Sequence, residues 1–176
     1  MNVSENYIKN TRAIFLNYKT LGEKAIKQVE EKRLFWAFNN DSNSLAIIVQ
    51  HMSGNMLSRF TAFFDEDGEK SWRNRDLEFE PMLTTKKEVL DQWEKGWNCF
   101  LDVINSLKEE DLEKTVLIRN ESHSVMEAIN RQLAHYSYHI GQIVFLSKMV
   151  AAVEWKSLSI PKNKSQDFND RMFGAK

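Results

Sequence analysis

Gln132-Leu133-Ala134-His135-Tyr136-Ser137-Tyr138-His139-Ile140-Gly141-Gln142 is the stretch whose pattern governs the fold of this chain. It lies in a segment that opens with Ser124-Val125-Met126-Glu127. That tetrad is a capping box, in which the Ser hydroxyl and the Glu carboxylate satisfy the free backbone N–H groups of a helix start. The helix is expected to continue to about Val153. Along it Ala128, Gln132, His135, His139, Gln142 and Leu146 follow at steps of three and four residues and so form one seam. The seam is apolar at its ends and polar in its middle, where a helix that needed only a core would carry Leu or Ile. His135 and His139 stand one turn apart with a rise of about 6 Å, which sets two imidazoles side by side. Such a pair can chelate a transition metal, and it also occurs as two polar residues at a bundle edge. A third ligand separates the two readings.

Working outward, Thr115-Val116-Leu117-Ile118 and a turn at Asn120-Glu121 predict a small irregular hairpin before this last helix. Thr85-Lys86-Lys87-Glu88 is another capping box, and it opens a helix whose buried face is Val89, Trp93, Trp97, Phe100 and Ile104. Before it, a polar linker runs from Glu69 to Asp76 and on to Pro81. Leu45, Ile48, Val49, Met52, Met56, Phe60 and Phe63 form the stripe of a helix expected to stop near Asp65-Glu66-Asp67-Gly68. The Asn- and Ser-rich stretch 39–44 supplies its N-cap oxygens. A first helix is expected from about Ser4 to Glu31, with Ile14, Tyr18, Leu21, Ala25 and Val29 on one face. Four amphipathic helices cannot bury their stripes singly. The predicted fold is therefore an all-α four-helix bundle over residues 1–155, followed by a polar C-terminal tail over 156–176 lying on the surface.

Composition narrows the function classes. The 176 residues suit one domain, and 42% hydrophobic with 28% charged residues is the balance of a soluble globular protein. Lys and Arg number 24 against 25 Asp and Glu, which argues against a protein that works by neutralising nucleic-acid phosphates. Lys148 interrupts the apolar run around Ile143 to Val153, so no membrane span is expected. The start, Met1 to Asn6, is polar and does not resemble a secretory signal. Cys99 is the lone cysteine, which excludes an internal disulfide and fits a reducing cytoplasm, the expected location.

His51, midway along the second helix on the flank of its stripe, is the candidate third ligand. Asn55 follows one turn later on that flank, and Gly54 allows a close approach. Facing positions on two helices are where bundles build metal sites. His51, His135 and His139 would bind one divalent transition metal, zinc or nickel foremost among the ions that imidazole suits. Three neutral ligands leave the full charge on the ion, so a bound water would be acidified toward a pKa of about 7. Gln132 and Gln142 are candidates to fix imidazole tautomers, and Tyr138 shares their side of the helix. His123, just before the capping box, is expected in a loop without a ligand role. Trp93 and Trp97 are core, Trp36 and Trp72 lie in connections, and Cys99 is an inert thiol beside the core. The linker Trp72-Arg73-Asn74-Arg75-Asp76-Leu77-Glu78 is either a solvated loop with local ion pairs or a cover over the metal end. In the second case Arg73 or Arg75 would clamp a cofactor or substrate carboxylate, with Asp76 and Glu78 as nearby candidate bases.

His51 within Val49-Gln50-His51-Met52-Ser53-Gly54-Asn55 and the run His135-Tyr136-Ser137-Tyr138-His139-Ile140-Gly141-Gln142 resemble the DinB-like superfamily. Its members are four-helix bundles with one His from the second helix and an H-x-x-x-H pair from the last. The resemblance covers roughly residues 4 to 153. Ser42-Asn43-Ser44, Asp67-Gly68-Glu69-Lys70, Arg73-Asn74-Arg75-Asp76 and Leu158-Ser159-Ile160-Pro161 are similar to an uncharacterised branch. The resemblance implies a metal-dependent enzyme acting on a small molecule, either a transferase of a low-molecular-weight thiol such as bacillithiol or a small-molecule hydrolase. In the thiol-using relatives the metal is thought to activate the thiolate. A homodimer is compatible with the superfamily. The alternative is a non-catalytic metal-containing binding or stress-response protein.

Overall fold

A computed structural model describes residues 2–174. The expected bounds at residues 1, 175 and 176 lie outside the described residues. Four long helices form the bundle: α1 (Val3–Lys27), α2 (Leu45–Phe60), α3 (Lys86–Ser106) and α4 (Val125–Ala151). A hairpin of β1 (Thr115–Ile118) and β2 (Glu121–Ser124) precedes α4, and α5 (Ser165–Gly174) follows it. The largest interfaces are α2 on α3 and α1 on α4, while α2 against α4 and α1 against α3 close the bundle. No described helix is long and apolar enough to cross a membrane.

The predicted capping boxes hold α3 and α4 at their starts: Thr85 accepts from the Glu88 N–H and Ser124 from the Glu127 N–H, and each Glu reaches back. The α3 face is buried as its spacing predicted, with Val89, Trp93, Trp97, Phe100 and Ile104 all inside. Phe100 is the centre of an aromatic cluster, edge-on to Phe15 at 4.5 Å, Phe60 at 4.6 Å and Tyr136 at 5.3 Å between ring centroids. Such edge-to-face pairs add to plain burial.

Four expectations require correction. α1 ends at Lys27 rather than Glu31, because Gln28 caps it and its side-chain amide pairs in both directions with the Lys156 backbone. Its buried stripe is Ile8, Thr11, Phe15, Gly22, Ala25 and Ile26, whereas Ile14 and Leu21 lie on the flank. α2 stops at Phe60, short of Asp65, because Ala62 takes a left-handed φ of 46°. The chain then turns back and stacks Phe63 on Phe60 at 5.0 Å, so the apolar period survives the end of the helix that the period implied. His123 lies in strand β2, paired with Val116, not in a loop.

The hairpin turn is the type I′ kind, with Arg119 and Asn120 both at positive φ (56° and 62°). Neither is Gly, and the Asp67 carboxylate stabilises the conformation by accepting the N–H groups of Arg119 at 2.9 Å and Asn120 at 2.6 Å. Next to it, the Gly68 carbonyl accepts from Ser58 Oγ at 2.7 Å and from Arg59. Asp67-Gly68-Glu69-Lys70 thereby ties the hairpin to the end of α2. In the C-terminal segment Trp155 and Leu158 pack against the core, while α5 buries none of its residues.

Candidate metal centre

His51, Asn55 and Arg59 recur every four residues along α2 and line one cavity, with His51 meeting His135 and Asn55 meeting the Tyr136 hydroxyl of α4. Opposite them stand His135 and His139. The Nε2 atoms of His135 and His139 are 3.1 Å apart, those of His51 and His135 3.4 Å apart, and the three ligand atoms all lie within 4.8 Å of one another. Ligands about 2.1 Å from one ion at angles between octahedral and tetrahedral are separated by about 3.0–3.4 Å, which these two gaps match.

The outer nitrogens fix how the rings can be protonated. His51 Nδ1 lies 2.9 Å from a Glu78 carboxylate oxygen, and His139 Nδ1 lies 2.8 Å from the Gln142 side-chain oxygen. Both acceptors require an N–H on Nδ1, so the Nε2 lone pairs of those rings point toward one another and toward His135. Those lone pairs converge on His135 Nε2, where either a proton on that nitrogen or a metal ion among the three relieves their repulsion, and the donor set fits a metal ion. Carboxylate and amide groups behind histidines hold ligands in just this way. Burial first, and then the nearby His139 and His51, depress the pKa of His135 to about 3. Burial likewise lowers His139 to about 4. Both rings are neutral, the form a metal requires, throughout the neutral range.

Glu78 reaches His51 from the linker. Its short helical turn (Asp76–Phe79) is tied to α2 by Gln50 Nε2, which donates to the carbonyls of Leu77 and Glu80 at 2.9 Å each. Gly54 makes the room: a Cβ there would sit 2.7 Å from Glu78 Cδ. Arg73 grips the same carboxylate with Nε at 2.7 Å and Nη2 at 3.0 Å. Burial pushes the Glu78 carboxyl up, but the His51 hydrogen bond and the Arg73 guanidinium outweigh it and hold it below the usual carboxylate range. It is therefore an anionic support for His51 and a weak base. Phe79 packs on His51 in a tilted arrangement, 4.7 Å between ring centroids, and also carries the Arg75 guanidinium 5.0 Å from its own centroid.

A cavity of about 360 Å³ opens beside the histidines, lined by His51 and His135 and by Arg59, Arg73, Arg75, Arg119 and Arg131 among others. The linker that carries Arg73 and Arg75 thus borders the metal end of the bundle, though Arg73 is already engaged by Glu78 and Glu69. Tyr138 is half exposed, with its ring 5.3 Å from His135 and 4.3 Å from His139. Gln132 is buried, lines the cavity, and makes no hydrogen bond through its side-chain oxygen. Asp76 is exposed and has no part in the cavity wall. His123 and Cys99 lie outside it, and Trp36 borders a separate recess with Arg33 and Met149.

Arg59, Arg119 and Arg131 did not emerge from the sequence as site residues. Arg59 was within reach, since it continues the four-residue spacing of His51 and Asn55. Arg131 stands one turn before His135 on α4. Arg119 had no local signal, because its position depends on the hairpin turn.

Among curated proteins, none matches this chain. A family model does match, over residues 2–164, which spans all four bundle helices and the hairpin. The chain belongs to the family that this model describes as a protein of unknown function (DUF1572).

Proposed function

We propose that this chain is a metal-dependent enzyme of the DinB-like superfamily, transferring a low-molecular-weight thiol of the bacillithiol type to an electrophilic small molecule. The observation that carries the reading is the convergence of three Nε2 atoms, with His51 and His135 in the wall of a cavity of about 360 Å³ and His139 behind them. A cavity of that size suits a small molecule. Three ligands with open space beside them are the pattern of a catalytic site, whereas a non-catalytic metal protein is served by a closed one. A divalent ion, zinc or nickel, would supply Lewis-acid activation of a thiolate there, or of water if the reaction is hydrolysis.

The chain's own residues have separable tasks. Glu78 and Gln142 orient His51 and His139 through their Nδ1–H groups. Arg73 keeps Glu78 ionised and in place. The Tyr138 ring packs against the His pair on the solvent side. The reading includes a small-molecule partner, no nucleic acid or membrane, a cytoplasmic location and a homodimeric assembly.

The test is elemental analysis of protein purified without a metal-affinity tag, beside a variant carrying His51→Ala, His135→Ala and His139→Ala. About one equivalent of a divalent metal in the first and none in the second is expected. A thiol-conjugation assay with bacillithiol and a chromogenic electrophile then follows, in which only the metal-loaded protein should turn over. Equal metal in both proteins, or a metal-loaded protein inert toward every thiol and hydrolytic substrate, would overturn the proposal.

A further inference from the structure

The cavity wall carries far more positive than negative charge. Five arginines line it, and no Asp or Glu does. The carboxylates that reach these arginines from behind are Glu69, shared by Arg59, Arg73 and Arg119, and Glu78, held by Arg73 and His51. Arg75 and Arg131 have no ion-pair partner among the described residues. Arg75 is positioned without one, by its contact with the Phe79 ring that also packs on His51. Deeper in the wall, Arg59 is only 5% exposed, yet its Nε makes no hydrogen bond. Gln132, 2% exposed, is similarly unsatisfied at its side-chain oxygen. Both atoms are closed to solvent, and the Gln132 oxygen is an acceptor that an anion cannot satisfy, so it is the exposed, unpaired guanidinium groups of Arg75 and Arg131 that face a ligand.

We infer that this cavity is a polyanion subsite, taking a small molecule with at least two negative charges, in carboxylate or phosphate form, gripped by Arg75 and Arg131. Guanidinium forks match both oxyanions bidentately. Two free forks on opposite elements, the linker and α4, can each take one anionic group or share one. Arg59 and Arg119, which share the single Glu69 carboxylate with Arg73, raise the potential behind them. The inference rests on the same cavity as the proposed activity and names its charge class, but it requires no metal, because both gripping side chains lie outside the histidine triad. It also assigns the arginines a role separate from that of Arg73, which positions Glu78.

The experiment is calorimetric titration of the purified protein with malonate and, separately, inorganic phosphate at fixed ionic strength. The wild type is compared with a variant carrying Arg75→Ala and Arg131→Ala and with the triple-histidine variant. Both arginines are exposed, so their replacement leaves the core intact. The expected result is saturable binding of at least one probe by wild type, weakened at least tenfold in the double-arginine variant and retained in the triple-histidine variant. The tighter probe identifies the carboxylate or phosphate source. Metal content of the double-arginine variant should stay at the wild-type level, which separates a failure here from a failure of the metal site. Equal binding by wild type and the double-arginine variant, or no binding of either probe by wild type, would overturn the inference. So would binding lost only with the histidines, since the metal alone would then hold the anion.

Discussion

The aromatic core and the histidine cluster share α2 and α4, which carry Phe60 and Tyr136 as well as His51, His135 and His139, and are built on opposite terms. Around Phe100, four aromatic neighbours from three other elements and from α3 itself meet a single ring. No one contact there is essential, and the energy comes from many small dispersive contacts and from area removed from water. Around His51 the reverse holds. Specific charged partners run in series from Glu69 to Arg73 to Glu78 to His51, with Arg59 and Arg119 also joining at Glu69. Packing tolerates substitution by degree, whereas a file of paired charges fails at the link that is removed.

The comparison can be broken at either end. Truncating the core at Phe100→Ala should cost about 3–5 kcal/mol in denaturant unfolding, the largest effect expected. Metal per folded molecule should nonetheless remain unchanged; a loss of metal ahead of unfolding would show that the two regions are one cooperative network. Gln142→Ala removes only the support behind His139 and should lower metal affinity by about 10–100-fold with almost no change in the metal-free melting temperature. Competition with a chromophoric chelator reads the first quantity and circular dichroism the second.

Acid probes the same contrast by titration. The pKa values of His135 and His139 are held at about 3 and about 4 in the fold, below the ordinary 6.5 of an exposed imidazole. Below pH 6.5 the unfolded chain therefore takes up protons that the folded chain refuses. The histidine contribution to stability is complete above pH 6.5 and falls as pH drops toward 3–4. Metal-free wild type should consequently lose melting temperature between pH 7 and 5 more steeply than a His135→Gln, His139→Gln variant; parallel curves would mean the rings are solvated. The smallest effect is reserved for a site remote from both regions in its energetics. Ser124→Ala deletes the N-cap of α4 and should cost about 1 kcal/mol, with metal affinity unchanged.

The two regions also differed in how much of them the sequence disclosed. The α3 face and both capping boxes were legible because their information is local: apolar spacing and a Ser or Thr three residues before Glu. His135 and His139 share that advantage, being one turn apart. The α1 stripe was displaced by a few positions because Thr11 and Gly22, neither an apolar marker, occupy its buried line. Phe63 preserved the α2 period after Ala62 had ended the helix, so the pattern overstated the length. Glu78 was noticed only as a carboxylate near arginines. Its partnership with His51 spans 27 residues and depends on the room left at Gly54, and no spacing rule encodes either.

α2 has a further consequence when regarded as a mechanical part. Thirteen of its sixteen residues are buried. At adjacent positions it is clasped from two sides: Gly96 of α3 brings that backbone so near that a Cβ would stand 2.8 Å from Ser53 Cα, and Gly54 receives Glu78. A helix held so closely cannot slide or rotate while its neighbours breathe. Its amide hydrogens should exchange with solvent only when the whole bundle opens, in contrast to those of α5, which has no buried residue to protect it. His51 is thus mounted on the stator of the molecule, and whatever movement admits and releases a ligand falls to the linker and the outer face of α4.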